Sequence, residues 1–538
     1  MAITQSDIDT TSSVHRVRRA RSGTRPAASG GSAGSPSGQA SRSSRSSLPY
    51  FPALDGLRAV AVLAVLVFHG GFSWAKGGYL GVSTFFTLSG FLITSLLLAE
   101  RHATSEIDLR AFWTRRFRRL MPASLVAIGL AILFTVMVGT PLQRQGIDGD
   151  VLASLAYVAN WRFIVTEQGY NAIFSGGSPL QHFWSLAIEE QFYFAYPLLA
   201  WVLLRKAKVS DLVFGAVLGG LTAISVALPL VLDLGADRIY YGTDTRAAEL
   251  LVGGLLAVAL NQRGISARLA RGGALPGVLA AVGAVALVAC GVLWGVAAND
   301  SDPTAPLYNG GLAGYALLSM FVVLAALLPV GPVRELLATP ALRWIGRISY
   351  GVYVYHWPIF LWVDRSLTDL GDWPRFAVKV GITFGLAALS SALLEQRVRQ
   401  GRRLLGVRPV VFAPALIVAV LAASVAVRVS APAPADDFEA EQAAFAAELE
   451  ARAASLPPPV PPRLVRQAPR RCRWRWALWR CCRYWWPCTA RTWRTCTRTS
   501  PSSCARTPPA CSAARASPWR AHGVPRAGVV ARRSPHLP

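Results

Sequence analysis

Apolar residues fall in eleven long runs along this chain: 57–73, 80–98, 121–139, 183–204, 211–233, 246–261, 274–297, 311–329, 347–363, 377–394 and 410–428. Each approaches the roughly 20 residues that an α-helix needs to cross a bilayer. Short polar loops separate the runs, so the pattern predicts an all-α integral membrane fold. A twelfth apolar stretch, 151–164, is shorter and carries Asn160 and Arg162.

Loop charge decides how that stretch is read. If 151–164 does not cross, the basic N-terminal arm and the segments Arg101–Arg119, Arg205–Lys208, Arg263–Arg271, Arg334–Arg347 and Arg397–Arg408 share one side. The acid-containing loops 140–182, 234–245, 298–310 and 364–376 then share the other. If it does cross, every later loop inverts and the preference of basic loops for the cytoplasm fails repeatedly. The expectation is a re-entrant or interfacial 151–164 in a multi-pass protein of the cytoplasmic membrane, with the N-terminus cytoplasmic and the C-terminus outside.

Composition agrees with the runs. The 538 residues are 53% hydrophobic and 16% charged, well below the roughly 25% charged of soluble domains. The net charge of +26 is concentrated at the ends of the chain and in the loops. From Arg452 onward there are 18 arginines and no Asp, Glu or Lys. A basic chain can signal nucleic-acid binding, but this distribution fits a lipid bilayer and excludes a nucleic-acid partner. Cys290 stands alone in an apolar run and the other seven cysteines lie between Cys472 and Cys511. The membrane part therefore has no disulfide framework, and the tail spacing matches no zinc pattern.

The flanks differ from this body. Residues 1–48 are rich in Ser, Gly, Ala and Arg without apolar periodicity and read as a disordered basic cytoplasmic arm. They are no signal peptide, because the first apolar run starts only near Leu57. A membrane domain over 49–400 is followed by an additional span over 401–430 and an Ala/Pro/Glu-rich linker over 431–462. From about Arg463 the sequence RRCRWRWALWRCCRYWWPC begins an Arg-, Trp- and Cys-rich tail, 463–538, with no helical or strand period. Such a mixture is what a shifted reading frame of a high-GC gene yields, and a disordered, out-of-frame tail is the expectation for it. The plainer reading is a natural basic tail.

Ionisable residues inside apolar runs are costly and mark function by default. Arg58 and His69 lie eleven residues apart in the first run, which is three helical turns plus about 20°, so both occupy one face about 16 Å apart. Arg58 read alone is a snorkelling anchor, and His69 read alone is a hydrogen-bonded packing residue. Arg115, Arg116, Arg118 and Arg119 precede the third run as an ordinary basic loop cluster. His182, Glu189 and Glu190 open the fourth. Adjacent carboxylates diverge by about 100° on a helix, so only one of the two glutamates faces a given partner. Asp244, Arg246 and Glu249 form a charged group at the start of the sixth run, read alone as a local ion pair. Tyr350 and His356 sit six apart in the ninth, where a packed histidine is the plain reading. Phe183, Trp184, Phe192, Tyr193 and Tyr196 fit an interfacial aromatic belt or a surface for stacking sugar rings.

These residues also carry a resemblance. DGLRAVAVLAVLVFHGG followed by GGYLGVSTFFTLSGFLITSLLL, then FWTRRFRRLMP, SPLQHFWSLAIEEQFYFAYPLL, YYGTDTRAAELLVGGLLA, WIGRISYGVYVYHWPIF and LLEQRVR, resemble in order the signatures of the membrane-bound acyltransferase 3 family. The resemblance covers about residues 50–400. It implies a bundle of about ten transmembrane helices, with one extra where an extracytoplasmic domain follows. One departure is Ser83 in GVSTFF, where many members carry Asp, so no catalytic role is assigned there.

The resemblance implies transfer of an acyl group, commonly acetyl, from acyl-CoA to a hydroxyl of a cell-envelope sugar: a polysaccharide, lipopolysaccharide or peptidoglycan. His69 matches the family's essential histidine and is the expected general base. Arg58 matches the essential arginine, as a donor-phosphate contact or an electrostatic support. Glu189 or Glu190 orients His69 or the acceptor. Arg115 and Arg118 are the expected holders of CoA phosphates, since guanidinium suits bidentate phosphate contact. His182, Asp244, Arg246, Glu249, Tyr350 and His356 are acceptor-side or supporting groups. The expected partners are acyl-CoA, the glycan and the bilayer, with acyl-CoA as co-substrate and neither bound cofactor nor metal. Many members continue into a serine-hydrolase-like domain with a Gly-Asp-Ser motif. No such motif occurs here, so a shifted frame implies that this domain is lost. The rival readings are a non-catalytic envelope scaffold or pseudoenzyme, and a transporter of an acyl donor. The latter needs paired broken helices in matching halves.

Overall fold

The computed structural model of the chain describes residues 49–168, 177–270, 273–297, 305–399 and 409–431. The basic arm, most of the linker and the Arg-, Trp- and Cys-rich tail lie outside these. Among the described residues every regular element is helical.

α1 (Pro52–His69) starts with proline at its first position, where the missing N–H costs nothing. α2 (Gly81–Thr104) ends where Ser105 turns to φ +57°. The Asp108 side chain then caps α3 (Leu109–Val138) by accepting from the Ala111 N–H at 2.9 Å. α4 (Pro141–Leu155) opens with a reciprocal cap between Thr140 and Gln143. Tyr157, at φ +56°, separates it from α5 (Ala159–Val165). The expected re-entrant stretch 151–164 is thus two short helices, because a left-handed residue cannot continue the first. Neither is long enough to span, which agrees with a segment that does not cross.

α6 (Phe183–Ala200) runs on through a π-helical turn, Trp201–Lys206, after Pro197. α7 (Asp211–Val231) is capped by Ser210, and α8 (Ala236–Tyr241) leads into α9 (Thr243–Asn261). α10 (Arg263–Ala270) is bent 83° from α9. α11 (Ala274–Val296), α12 (Leu312–Leu327), α13 (Pro332–Leu337) and α14 (Pro340–Ser366) follow. α15 (Asp372–Ser390), α16 (Gln396–Arg399) and α17 (Pro409–Val429) complete the order.

Among the described residues seven helices are long and apolar enough to cross a membrane, or eight if the bent α9–α10 pair is one span. The molecule is an all-α integral membrane protein. Two of the eleven expected spans, α6 and α14, fall outside that set although both are long. Their apolar runs are diluted by His, Glu, Tyr and Trp, which this bundle encloses rather than exposes. The span expected at the C-terminal end is present as the short apolar helix Ala413–Val429.

The interior is built from α1 against α14 and α2 against α9, with α7 outside α9 and α11 outside α12. The α2–α9 seam is close. A β-carbon on Gly90 would collide with the Leu250 carbonyl, and one on Gly253 with the Thr87 carbonyl. Small residues that let two backbones approach are a main source of helix attraction where lipid competes for apolar surface.

Candidate functional site

His69 is the last residue of α1, His356 lies two-thirds along α14, and His182 immediately precedes α6. The bundle brings all three rings together around His356. Its Nε2 is 3.2 Å from His69 Nδ1, and its ring centroid is 5.5 Å from that of His182. Carbonyl oxygens then dictate where the protons sit, because a nitrogen facing an acceptor must carry one. His356 Nδ1 faces the Tyr353 carbonyl, so it donates and Nε2 keeps its lone pair. His69 Nδ1 faces both that lone pair and the Val65 carbonyl at 3.0 Å. It therefore holds the proton, and in the neutral ring the lone pair of His69 is on Nε2. His182 Nε2 donates to the Val354 carbonyl at 2.9 Å, leaving Nδ1 as a buried acceptor with no hydrogen bond to the described residues. His69 is 8% exposed, and the other two are more deeply enclosed. Trp357 and Phe68 pack against the His69 ring.

A polar stripe descends α6 from this cluster. His182, Ser185, Glu189 and Tyr193 recur every three or four residues and so share a face. The Tyr353 hydroxyl donates to the His182 carbonyl at 3.1 Å and meets Ser185 Oγ at 2.5 Å. Glu189 accepts from the Ser89 hydroxyl of α2 at 2.8 Å. Glu190 points elsewhere, as its neighbouring position requires, and pairs with Arg116 Nε of α3 at 3.3 Å. The Arg116 guanidinium also covers the Tyr193 ring. Arg116 and Arg119, three apart, form the buried face of α3 here, whereas Arg115 and Arg118 are exposed. Tyr350 belongs to this lower level. Its hydroxyl lies 2.7 Å from Ser124 Oγ and donates to the Leu120 carbonyl at 3.1 Å.

The expected Asp244, Arg246 and Glu249 group is not one group. Arg246 and Glu249 pair at 2.6 Å in full burial, and Arg246 also donates to Ser83 at 3.1 Å. The guanidinium lies 4.8–5.5 Å from the ring centroids of Phe86, Trp184 and Tyr240. Asp244 instead takes two hydrogen bonds from Arg238, at 2.8 and 2.7 Å, toward the surface. Residues two apart on a helix point about 200° from one another, which separates Asp244 from Arg246. Arg58 is likewise held locally, by Asp55 at 3.1 Å, and Asp55 also accepts from the Tyr50 hydroxyl at 2.9 Å. It sits three turns below His69 and does not join the histidines.

Among the site residues not foreseen from the sequence are Asp55, Ser89, Arg116, Ser124, Ser185 and Tyr353. The i, i+3 spacing of Asp55 and Arg58 was a usable signal. Nothing local marks Ser89, or prefers Arg116 over its neighbours. Beyond the spans, Asp150 on α4 takes hydrogen bonds from Arg162 and from Ser178, both at 2.6 Å. Burial nevertheless pushes its carboxyl above the ordinary range, with those bonds opposing.

Among known families, one described as an acyltransferase domain, acyltransferase 3, matches residues 51–429. The chain is 38% identical over 340 residues to the peptidoglycan O-acetyltransferase OatA of Listeria monocytogenes, covering 62% of this chain and 54% of that protein. It is 32% identical over 339 residues to the O-acetyltransferase OatA of Staphylococcus aureus, covering 62% and 55%. The chain spans about half the length of the curated relatives it matches. No solved structure matches it.

Proposed function

The chain belongs to the acyltransferase 3 family, and we propose on that premise that it transfers an acyl group, acetyl first among candidates, from acyl-CoA to a hydroxyl of a cell-wall glycan. Its curated relatives are O-acetyltransferases, and the one from Listeria monocytogenes is named for peptidoglycan. The observation that carries the reading is the set of acceptors around His69 Nδ1. Two acceptors on Nδ1 leave the Nε2 lone pair available, on the least buried histidine of the cluster.

In this reading His69 Nε2 removes the proton of the sugar hydroxyl as its oxygen attacks the thioester carbonyl. The developing imidazolium is supported by the lone pair of His356 against Nδ1. Collapse of the tetrahedral intermediate breaks the carbon–sulfur bond. The departing thiolate takes the proton back from His69, so ester and free CoA thiol are released and the histidine is restored. Arg116 and Glu190 keep charge balanced lower in the bundle, toward the side on which a CoA donor would enter.

The test is alkali-labile ester on envelope glycan in cells carrying this chain, its His69→Ala variant, or empty vector, at matched membrane levels. Ester above vector that vanishes in the variant is expected. Equal ester in chain and variant would remove His69 from the chemistry and with it this reading.

A further inference from the structure

Three rings lie just beyond His69. Phe72, Trp74 and Trp373 form a pile. Phe72 is 4.5 Å from Trp373 and 5.6 Å from Trp74 between ring centroids, with interplanar angles of 35° and 28°. Trp74 is 56% and Trp373 62% exposed, so both tryptophans are open at the surface. The pile is anchored inward by Phe376, edge-on to Phe72 at 5.0 Å. Phe376 leads through Phe360 to His356. Gly70, between His69 and the pile, has no side chain, and a β-carbon there would press on Phe376 and Phe72. The row of rings therefore runs unbroken from the surface to the histidines.

Tryptophans at a membrane boundary often serve only as anchors. Two observations point elsewhere. Asp372, beside Trp373 at the start of α15, is 82% exposed, and Ser73 and Lys76 around Trp74 are exposed too, so polar and charged groups border these rings. Phe72 and Trp74 also stack, with Trp373 tilted against the same Phe72, where a belt needs no mutual order. Aromatic rings present negative π-faces, which suit the positive C–H face of a pyranose ring. Asp372, next to Trp373, pairs with Arg375 at 3.7 Å and keeps most of its carboxylate exposed for a hydrogen-bond donor.

We propose that Trp74, Phe72 and Trp373 form a glycan-binding shelf that holds acceptor sugar rings against its outer faces, with one hydroxyl directed past Gly70 to His69. This deepens the acyltransferase reading and rests on it for the acceptor's class. The shelf binds sugar whether or not donor is present.

The test uses the full chain in lipid nanodiscs and a β-1,4-linked N-acetylglucosamine tetrasaccharide titrated by calorimetry. Trp373→Ala and Trp74→Ala are expected to weaken binding about tenfold or more. Trp373→Phe, which keeps a flat ring, retains most of it. Trp344→Ala, at an exposed tryptophan elsewhere, is expected to change nothing. In ester-formation assays the two alanine variants raise the KM for acceptor and leave kcat in place. Tetrasaccharide binding by either alanine variant within twofold of the unaltered chain overturns the shelf, as does absence of binding by the unaltered chain. Tryptophan-dependent binding without any ester supports the shelf and sinks the acyltransferase reading. Ester formation with unchanged KM in the variants does the reverse.

Discussion

Two of the helices that look most like membrane spans, α7 and α11, have least to do with the site. In α7 and α11 only 17% of the most apolar window is buried inside the protein, against 78% in α1 and 83% in the second span. α6 and α14 are too polar to pass as spans at all, yet they supply His182, Glu189, Glu190 and His356. In lipid, apolar character reports contact with hydrocarbon rather than with a core, because tails are as apolar as leucine. A polar side chain survives at depth only where other helices satisfy it. Dilution of an apolar run is therefore the more informative signal.

That contrast can be broken in four ways. His69→Ala should reduce glycan ester by about 10²- to 10⁴-fold, the usual weight of a general base. His356→Leu should cost less, and His356→Gln should recover part of that loss by offering an acceptor to Nδ1. Equal losses in the leucine and glutamine variants would show that His356 acts by packing alone. Next, Arg246→Met strands Glu249 in full burial. The chain should lose about 3–5 kcal/mol in detergent unfolding, with the Arg246→Met, Glu249→Leu pair recovering most of it. If the single and double changes behaved alike, the pair would not be coupled.

Smaller effects separate the inner and outer helices directly. Gly90→Ala forces a β-carbon into the α9 backbone and should cost about 1–3 kcal/mol. Gly219→Ala on α7, with nothing within 4 Å, should change stability by less than about 1 kcal/mol, toward greater stability. Similar unfolding midpoints for the two variants would undo the distinction between inner and lipid-facing helices. The least effect is at Asp150. Its raised carboxyl favours the protonated folded state, so its contribution is present at low pH and is lost as pH rises through the folded value. Asp150→Asn should flatten that part of the pH dependence of the melting temperature, while an unchanged slope would place its origin elsewhere.

The spans were legible because lipid imposes a length and a composition on each one separately. Local pairs were legible in principle too. Arg58 with Asp55 and Arg246 with Glu249 follow from i, i+3 spacing, and the divergence of Asp244 follows from its two-residue offset. The rest depends on which helices meet. Ser89 reaches Glu189 across 100 residues, Arg116 reaches Glu190 across 74, and His356 reaches His69 across 287. Spacing within α3 allows either Arg115 with Arg118 or Arg116 with Arg119 to face inward, and only the neighbouring helices choose. Tyr157 in a left-handed turn was equally invisible, since tyrosine carries no local preference for it.

The glycine contacts between α2 and α9 have a mechanical consequence. Two helices whose backbones touch at Gly90 and Gly253 have no side-chain layer between them to shear or repack. They form a single strut, stiff along its whole seam. The α1–α14 seam has a backbone contact of the same kind, Gly346 against the Asp55 carbonyl, so widening of the bundle to admit or release a substrate falls to the α6 boundaries, where rings and hydroxyls meet. The polar stripe on α6 lies along that compliant side.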